Sequence, residues 1–154
     1  MINTFVLTPN ERILSWRDLR GELLNLTFEE QLEKVSCFWW QAPIVTFVLD
    51  FDRPETWPPP WEIIHQNMYD STARAYMMAE TFLLAYEEID DKPFDKIELC
   101  YIKDNVESDM MMIVCVDGWV LNHQYNSVIK FSDIEKQVDI YSVYQKIGKG
   151  WEIV

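Results

Sequence analysis

Asp70-Ser71-Thr72-Ala73-Arg74-Ala75-Tyr76-Met77-Met78-Ala79-Glu80-Thr81-Phe82-Leu83-Leu84-Ala85-Tyr86 decides how the rest of the chain is read. Asp70, Ser71 and Thr72 supply cap-forming side chains, so the stretch predicts a helix over roughly 72–87. Only Arg74, Glu80 and Thr81 interrupt its apolar character. A helix apolar on nearly every side needs cover all round, which makes it the buried centre of a fold. Met77 and Met78 fit core filling better than an adaptable binding surface.

Toward the C-terminus, past the acidic connector Glu87, Glu88, Asp90 and Asp91, the pattern changes to β. Ile97 to Lys103 reads as a strand, and Met111 to Val116 as another. Asp117-Gly118 then joins the latter to Trp119-Val120-Leu121, and Asp-Gly tolerates the positive φ angles of a tight hairpin turn. Ser127 to Phe131 and Val138 to Gln145 are further strands. Ser132-Asp133-Ile134-Glu135 has the form of a capping box, and Gly148-Lys149-Gly150-Trp151 turns into a last short strand.

Toward the N-terminus the chain reads as helical. Ser15 is a candidate cap for a helix carrying Trp16, Leu19, Leu23 and Leu24. Thr27-Phe28-Glu29-Glu30 is a capping box opening a helix with Phe28, Leu32, Val35 and Phe38 on one face. Ile44 to Leu49 reads as a strand, and Asp50 to Pro60 as a stiff loop with Pro54, Pro58, Pro59 and Pro60. Trp57 and Trp61 flank that proline run and are expected to fold back over it. Pro60 suits the first position of a short helix, Trp61-Glu62-Ile63-Ile64. Helices first and antiparallel strands later make an α+β fold: N-terminal helices, a buried central helix and a C-terminal antiparallel sheet. A length of 154 residues suits a single domain over 1–154.

Hydrophobic residues make up 49% of the chain and aromatic ones 14%, a composition that excludes a disordered acidic tail. The formal charge of -13 repels nucleic acid and anionic membranes, and no basic cluster offsets it. No apolar run approaches the roughly 20 residues needed to cross a bilayer. The three cysteines, Cys37, Cys100 and Cys115, form no CxxC pair, and Cys100 and Cys115 read as small apolar residues within strands. Asp50, Asp52 and Glu55 lack the glycine turn and ligand number of a calcium loop, so neither metal nor cofactor is expected. Four glycines and no P-loop or GxSxG leave no phosphate cradle or nucleophile elbow.

Pro59-Pro60-Trp61-Glu62-Ile63-Ile64, the alternating Ala73 and Ala75, Trp119-Val120-Leu121-Asn122, and Ile140-Tyr141-Ser142-Val143-Tyr144 to Gly150-Trp151 resemble transglutaminase-like cysteine peptidases, closest to their bacterial branch. The resemblance covers 58–154, leaving 1–57 as a helical N-terminal part with one strand. It implies a papain-like core whose catalytic Cys opens the central helix, with His and Asp on following strands. A helix N-terminus stabilises a thiolate, His takes its proton, and the carboxylate orients the imidazole. The family's Cys-Glu-Asp motif with alternating Ala falls on Tyr69-Asp70-Ser71-Thr72-Ala73-Arg74-Ala75, which puts Tyr69 at the nucleophile position. The His position falls on Asp109 and the Asp position on Asn122. Asn is an orienting residue that papain relatives use, whereas a phenol with an ordinary pKa near 10 is a poor acyl-transfer nucleophile. No family catalysis is expected from this set. Cys37, His65 and His123 remain the candidates for a relocated Cys–His dyad.

Trp16-Arg17-Asp18-Leu19, Phe38-Trp39-Trp40-Gln41-Ala42-Pro43 and Trp57-Pro58-Pro59-Pro60-Trp61-Glu62 resemble small proteins of tailed bacteriophages. That resemblance implies action in the infected bacterial cytoplasm or in the virion. The expected function is a pseudoenzyme-like accessory protein that binds another protein, of host or phage, with exposed members of Trp39, Trp40, Trp57 and Trp61 as anchors. The alternatives are a hydrolase or transferase with a relocated dyad, and an acidic nucleic-acid mimic. Oligomeric state is left open.

Overall fold

The computed structural model describes residues 3–154. Helix α1 spans Pro9–Leu23 and α2 spans Phe28–Trp40. After a proline-rich loop come α3, Pro60–Gln66, and α4, Ser71–Ala85. The strands are β1, Ile97–Asp104; β2, Asp109–Val116; β3, Trp119–Leu121; β4, Val128–Lys130; β5, Val138–Ile147; and β6, Gly150–Ile153. They form one antiparallel sheet in the order β4-β3-β2-β1-β5-β6, with β1 and β2 central. Consecutive hairpins account for most neighbours, and β5 returns to the free side of β1, with a register shift between Tyr101 and Ile102.

Helix α4 is the centre of the molecule, as its apolar sequence predicts. Ala73, Ala75, Met77, Met78, Ala79 and Phe82 are inaccessible to solvent. They sit in one core with Leu19 and Leu23 of α1, Leu32, Val35 and Trp39 of α2, and Leu99, Met112 and Val114 of the sheet. The polar interruptions of α4 are bonded. Thr81 Oγ1 accepts the indole N–H of Trp16 at 2.9 Å and of Trp39 at 3.1 Å, and donates to the carbonyl of Met77. Glu80 accepts from Lys146 at 2.6 Å and from the Trp151 indole at 2.9 Å, which ties the helix to β5 and β6. A smaller core on the opposite face of the sheet holds Cys100, Ile102, Met111, Ile113, Val120, Ile134 and Val138.

Four sequence expectations give way. The first helix starts at Pro9, not at Ser15: Thr8 and Glu11 form a reciprocal capping box, and Ser15 lies inside the helix with its hydroxyl 2.6 Å from that of Thr4. Ile44 to Leu49 makes no strand. Its backbone is spent on the approach to α4, with a single parallel bridge from Ile44 to Tyr69 and the Val48 and Leu49 amides donating to Asp70. Ser132 opens no α-helix; only a 3-10 turn, Phe131–Asp133, forms there. Of the two indoles at the proline loop, Trp57 folds in, donating to the Asp50 carbonyl at 2.8 Å and lying against Tyr76 and Tyr144. Trp61 faces outward at 61% exposure. Tyr76 and Tyr144 complete the pinning of the loop, donating to the carbonyls of Pro58 and Phe51. Among the described residues no helix is long and apolar enough to cross a membrane.

Candidate functional site at the mouth of the central helix

Asp70 caps α4, and its carboxylate is fully used: one oxygen accepts the Ala73 amide at 2.7 Å, the other the Val48 and Leu49 amides. Ser71 is the first residue of the helix. Its hydroxyl accepts the Met112 amide of β2 at 3.0 Å and faces the Met112 carbonyl at 3.4 Å. Asn122 follows β3 with a φ of 68°, a left-handed conformation that Asn tolerates better than most residues. That turn aims its amide at the helix mouth. The Nδ2 group donates to the carbonyls of Met112 at 2.7 Å and Ser71 at 3.0 Å, and Oδ1 accepts Arg74 Nε at 2.6 Å. Helix, central strand and hairpin end are thereby fastened at one point.

Arg74 lies one turn into α4 and is 8% exposed. Its guanidinium carbon sits 3.5 Å from the ring centroid of Trp40, at the end of α2, and Tyr125 leans on the same indole at 5.6 Å. No carboxylate pairs with Arg74 among the described residues, and burial pulls its pKa down to about 10. The guanidinium is therefore still charged at neutral pH.

The positions implied by the family resemblance are not brought together as a set. Asn122 is at the mouth. Tyr69 lies two residues before α4 and turns inward, its ring 5.6 Å from Phe5 and 5.7 Å from Trp39. Its hydroxyl is buried without a partner among the described residues, and burial pushes the phenol well above its ordinary pKa. Asp109 is exposed at the start of β2, across from Asp104, and shares no hydrogen bond with Tyr69 or Asn122 among the described residues. Neither histidine is bonded to a cysteine there. His123 Nε2 donates to Asp104 at 2.7 Å, on the sheet face away from α4, with Gln137 and the Val106 and Glu107 amides on the same carboxylate. Burial opposes the charge on Asp104, but these bonds outweigh it and hold its pKa below the ordinary range. His65 lies in α3, its carbonyl accepting from Arg12. Cys37 is exposed on α2, and Cys100 and Cys115 face each other with sulfurs 3.8 Å apart. The Cys115 contact favours the Cys100 thiolate, and it disfavours the Cys115 thiolate along with burial.

The anchor candidates also separate. Trp39 is wholly buried and leaves the set of surface anchors, because its ring belongs to the aromatic core. Trp57 is half-buried and bonded into the loop, Trp40 is half-buried under Arg74, and Trp61 stays exposed. Sequence reasoning missed Arg74, taking it as a polar interruption of a buried helix. The available signal was that very position: a lone cation in a helix with no solvent face must have a specific partner. No group of three or more His, Cys, Asp or Glu among the described residues could hold a metal ion.

No protein-family model matches the chain, and no curated protein does. Three solved structures of one protein resemble it over nearly its whole length. Legionella pneumophila LapG superposes with a TM-score of 0.69 at 19% identity, covering 95% of this chain and 80% of that one. Its EGTA-treated form gives the same score and identity over 95% and 77%. The calcium-bound form gives 0.66 at 18%, over 91% and 76%. At such identity the likeness shows the fold alone, and that fold is the transglutaminase-like, papain-like α+β core.

Proposed function

We propose that this chain is a non-catalytic relative of the transglutaminase-like peptidases, a phage accessory protein that docks another protein on the surface around the mouth of α4. One observation carries the reading: the hydroxyl that opens the helix, on Ser71, is tied to the Met112 backbone, and among the described residues no imidazole or thiol is bonded to it. An acyl-transfer nucleophile needs a base within hydrogen-bond reach. Around the same mouth, apolar side chains face solvent: Ile44 and Phe47 on the segment leading to α4, Met68 just before it, and Met110 at the start of β2. Clusters of exposed apolar side chains are what protein interfaces bury. Phage origin is supported by the aromatic motifs of the N-terminal third, which leaves the host cytoplasm and the virion as the places of action.

The test is affinity capture from infected bacterial cells with the wild-type chain and with Phe47→Asp, followed by rebinding of the purified partner. A partner that rebinds in purified form, at least ~10-fold more weakly to Phe47→Asp, is the expected result. Equal binding by Phe47→Asp, Met68→Asp and Trp61→Ala would remove the surface from consideration. A folded-state cysteine labelled by a peptidase activity probe far faster than free glutathione would return the chain to the enzymes.

A further inference from the structure

The two most buried arginines are treated in opposite ways. Arg12, 7% exposed, spends its guanidinium on three carbonyls, those of Ile64, Leu7 and His65. Arg74, 8% exposed, makes one hydrogen bond, through Nε to Asn122. Its Nη1 and Nη2 donate to no group among the described residues. The chain carries 26 carboxylate side chains, yet none is placed against this cation. Beneath the guanidinium lies a second donor without an acceptor, the buried indole N–H of Trp40. Nη1 and Nη2 are not sealed from solvent, whereas the indole N–H is, and a buried donor without an acceptor is costly. A charged fork that meets no carboxylate of its own chain, carried on an otherwise buried arginine, describes a site open to an acceptor that the chain itself does not supply.

We propose that Arg74 receives a carboxylate, from an acidic side chain or a chain terminus of the docked protein, with Nη1 and Nη2 as its fork and Trp40 as its platform. This rests on the docking reading for the source of the carboxylate. With Nε committed to Asn122, the guanidinium offers its Nη edge, whose two parallel N–H groups match the two oxygens of a carboxylate. The indole face fixes the plane of the guanidinium, so the fork is oriented before anything binds. A single cation on a chain of charge -13 suits a monoanion; a dianionic phosphate meets the same fork but twice the surrounding repulsion. Tyr125, 82% exposed and resting on Trp40, flanks the entrance.

The probe is sodium acetate, titrated into the full chain while the Arg74 Nε–H and Trp40 indole N–H resonances are followed. These are assigned by their loss in Arg74→Lys and Trp40→Phe. Acetate should shift both saturably, while acetamide, sodium chloride at equal ionic strength and inorganic phosphate leave them nearly in place. Arg74→Gln should abolish saturation, and Trp40→Leu, which removes the aromatic platform, should weaken it by ~5-fold. Trp40→Leu decides the matter if Arg74→Gln does not fold. Equal shifts with chloride, a stronger response to phosphate, or undiminished saturation in Trp40→Leu would each overturn the assignment. Acetate binding in a chain that captures no partner supports the carboxylate site and overturns only the docking reading. Absence of acetate binding in a chain that still captures its partner does the reverse.

Discussion

Trp39 and Trp16 share one acceptor, the hydroxyl of Thr81, although the two indoles come from different helices. Thr81 itself donates to the Met77 carbonyl, so a single oxygen in the middle of α4 settles three polar groups in an otherwise apolar core. That oxygen aligns α1 and α2 against the central helix, because each indole must present its N–H edge to the same atom.

Thr81→Val removes that oxygen at nearly constant volume and strands both indole donors. It should cost about 2–4 kcal/mol, the sum of two unsatisfied buried N–H groups, whereas Thr81→Ser should cost under about 1 kcal/mol. Urea unfolding followed by tryptophan fluorescence reads the difference, and equal midpoints for Val and wild type would show that neither indole depends on the hydroxyl.

Asp104 makes the fold acid-sensitive in a defined direction. Its folded pKa lies below the ordinary 3.8, so its contribution is fully present above that value and disappears as pH falls through the lower, folded-state value. Asp104→Asn should flatten this part of the stability profile between about pH 2 and 5. At neutral pH it should cost about 3 kcal/mol, because His123 loses a buried charged acceptor. The check is stability against pH for both proteins.

Alkylation of the native chain should label Cys37 at the rate of an ordinary exposed thiol. Cys100, buried on the second face of the sheet, should react only as the protein unfolds, and Cys115, partly buried beside it, far more slowly than Cys37. Mass spectrometry of timed quenches distinguishes the three sites. A burst at Cys100 in the folded protein would show that its lowered pKa outweighs its burial.

Trp39→Ala and Trp61→Ala should behave as opposites. Loss of the buried ring should cost about 3–5 kcal/mol, while the exposed one should change stability by no more than about 0.5 kcal/mol. Partner capture should fall in Trp61→Ala without any change in melting temperature. Similar melting temperatures for the two variants would contradict the burial of Trp39.

The elements whose signal is local were legible in the residues alone. The apolar run of α4 has one solution, burial on all sides, and the Thr27 box and Asp117-Gly118 turn carry their backbone geometry in the residues themselves. Local signals also misled where a stronger one stood nearby: Thr8-Pro9 outcompeted Ser15, and the cap of α4 took the amides that a strand over 44–49 would have used. The site exists only where separate elements meet. Ser71, Arg74, Met112 and Asn122 come from a helix start, a central strand and a hairpin end, with Trp40 from a second helix. No periodicity links such positions, because their meeting depends on how α4 seats on the sheet. Whether a buried cation is satisfied or waiting depends on which carbonyls and carboxylates the fold carries to it, and this separates Arg12 from Arg74.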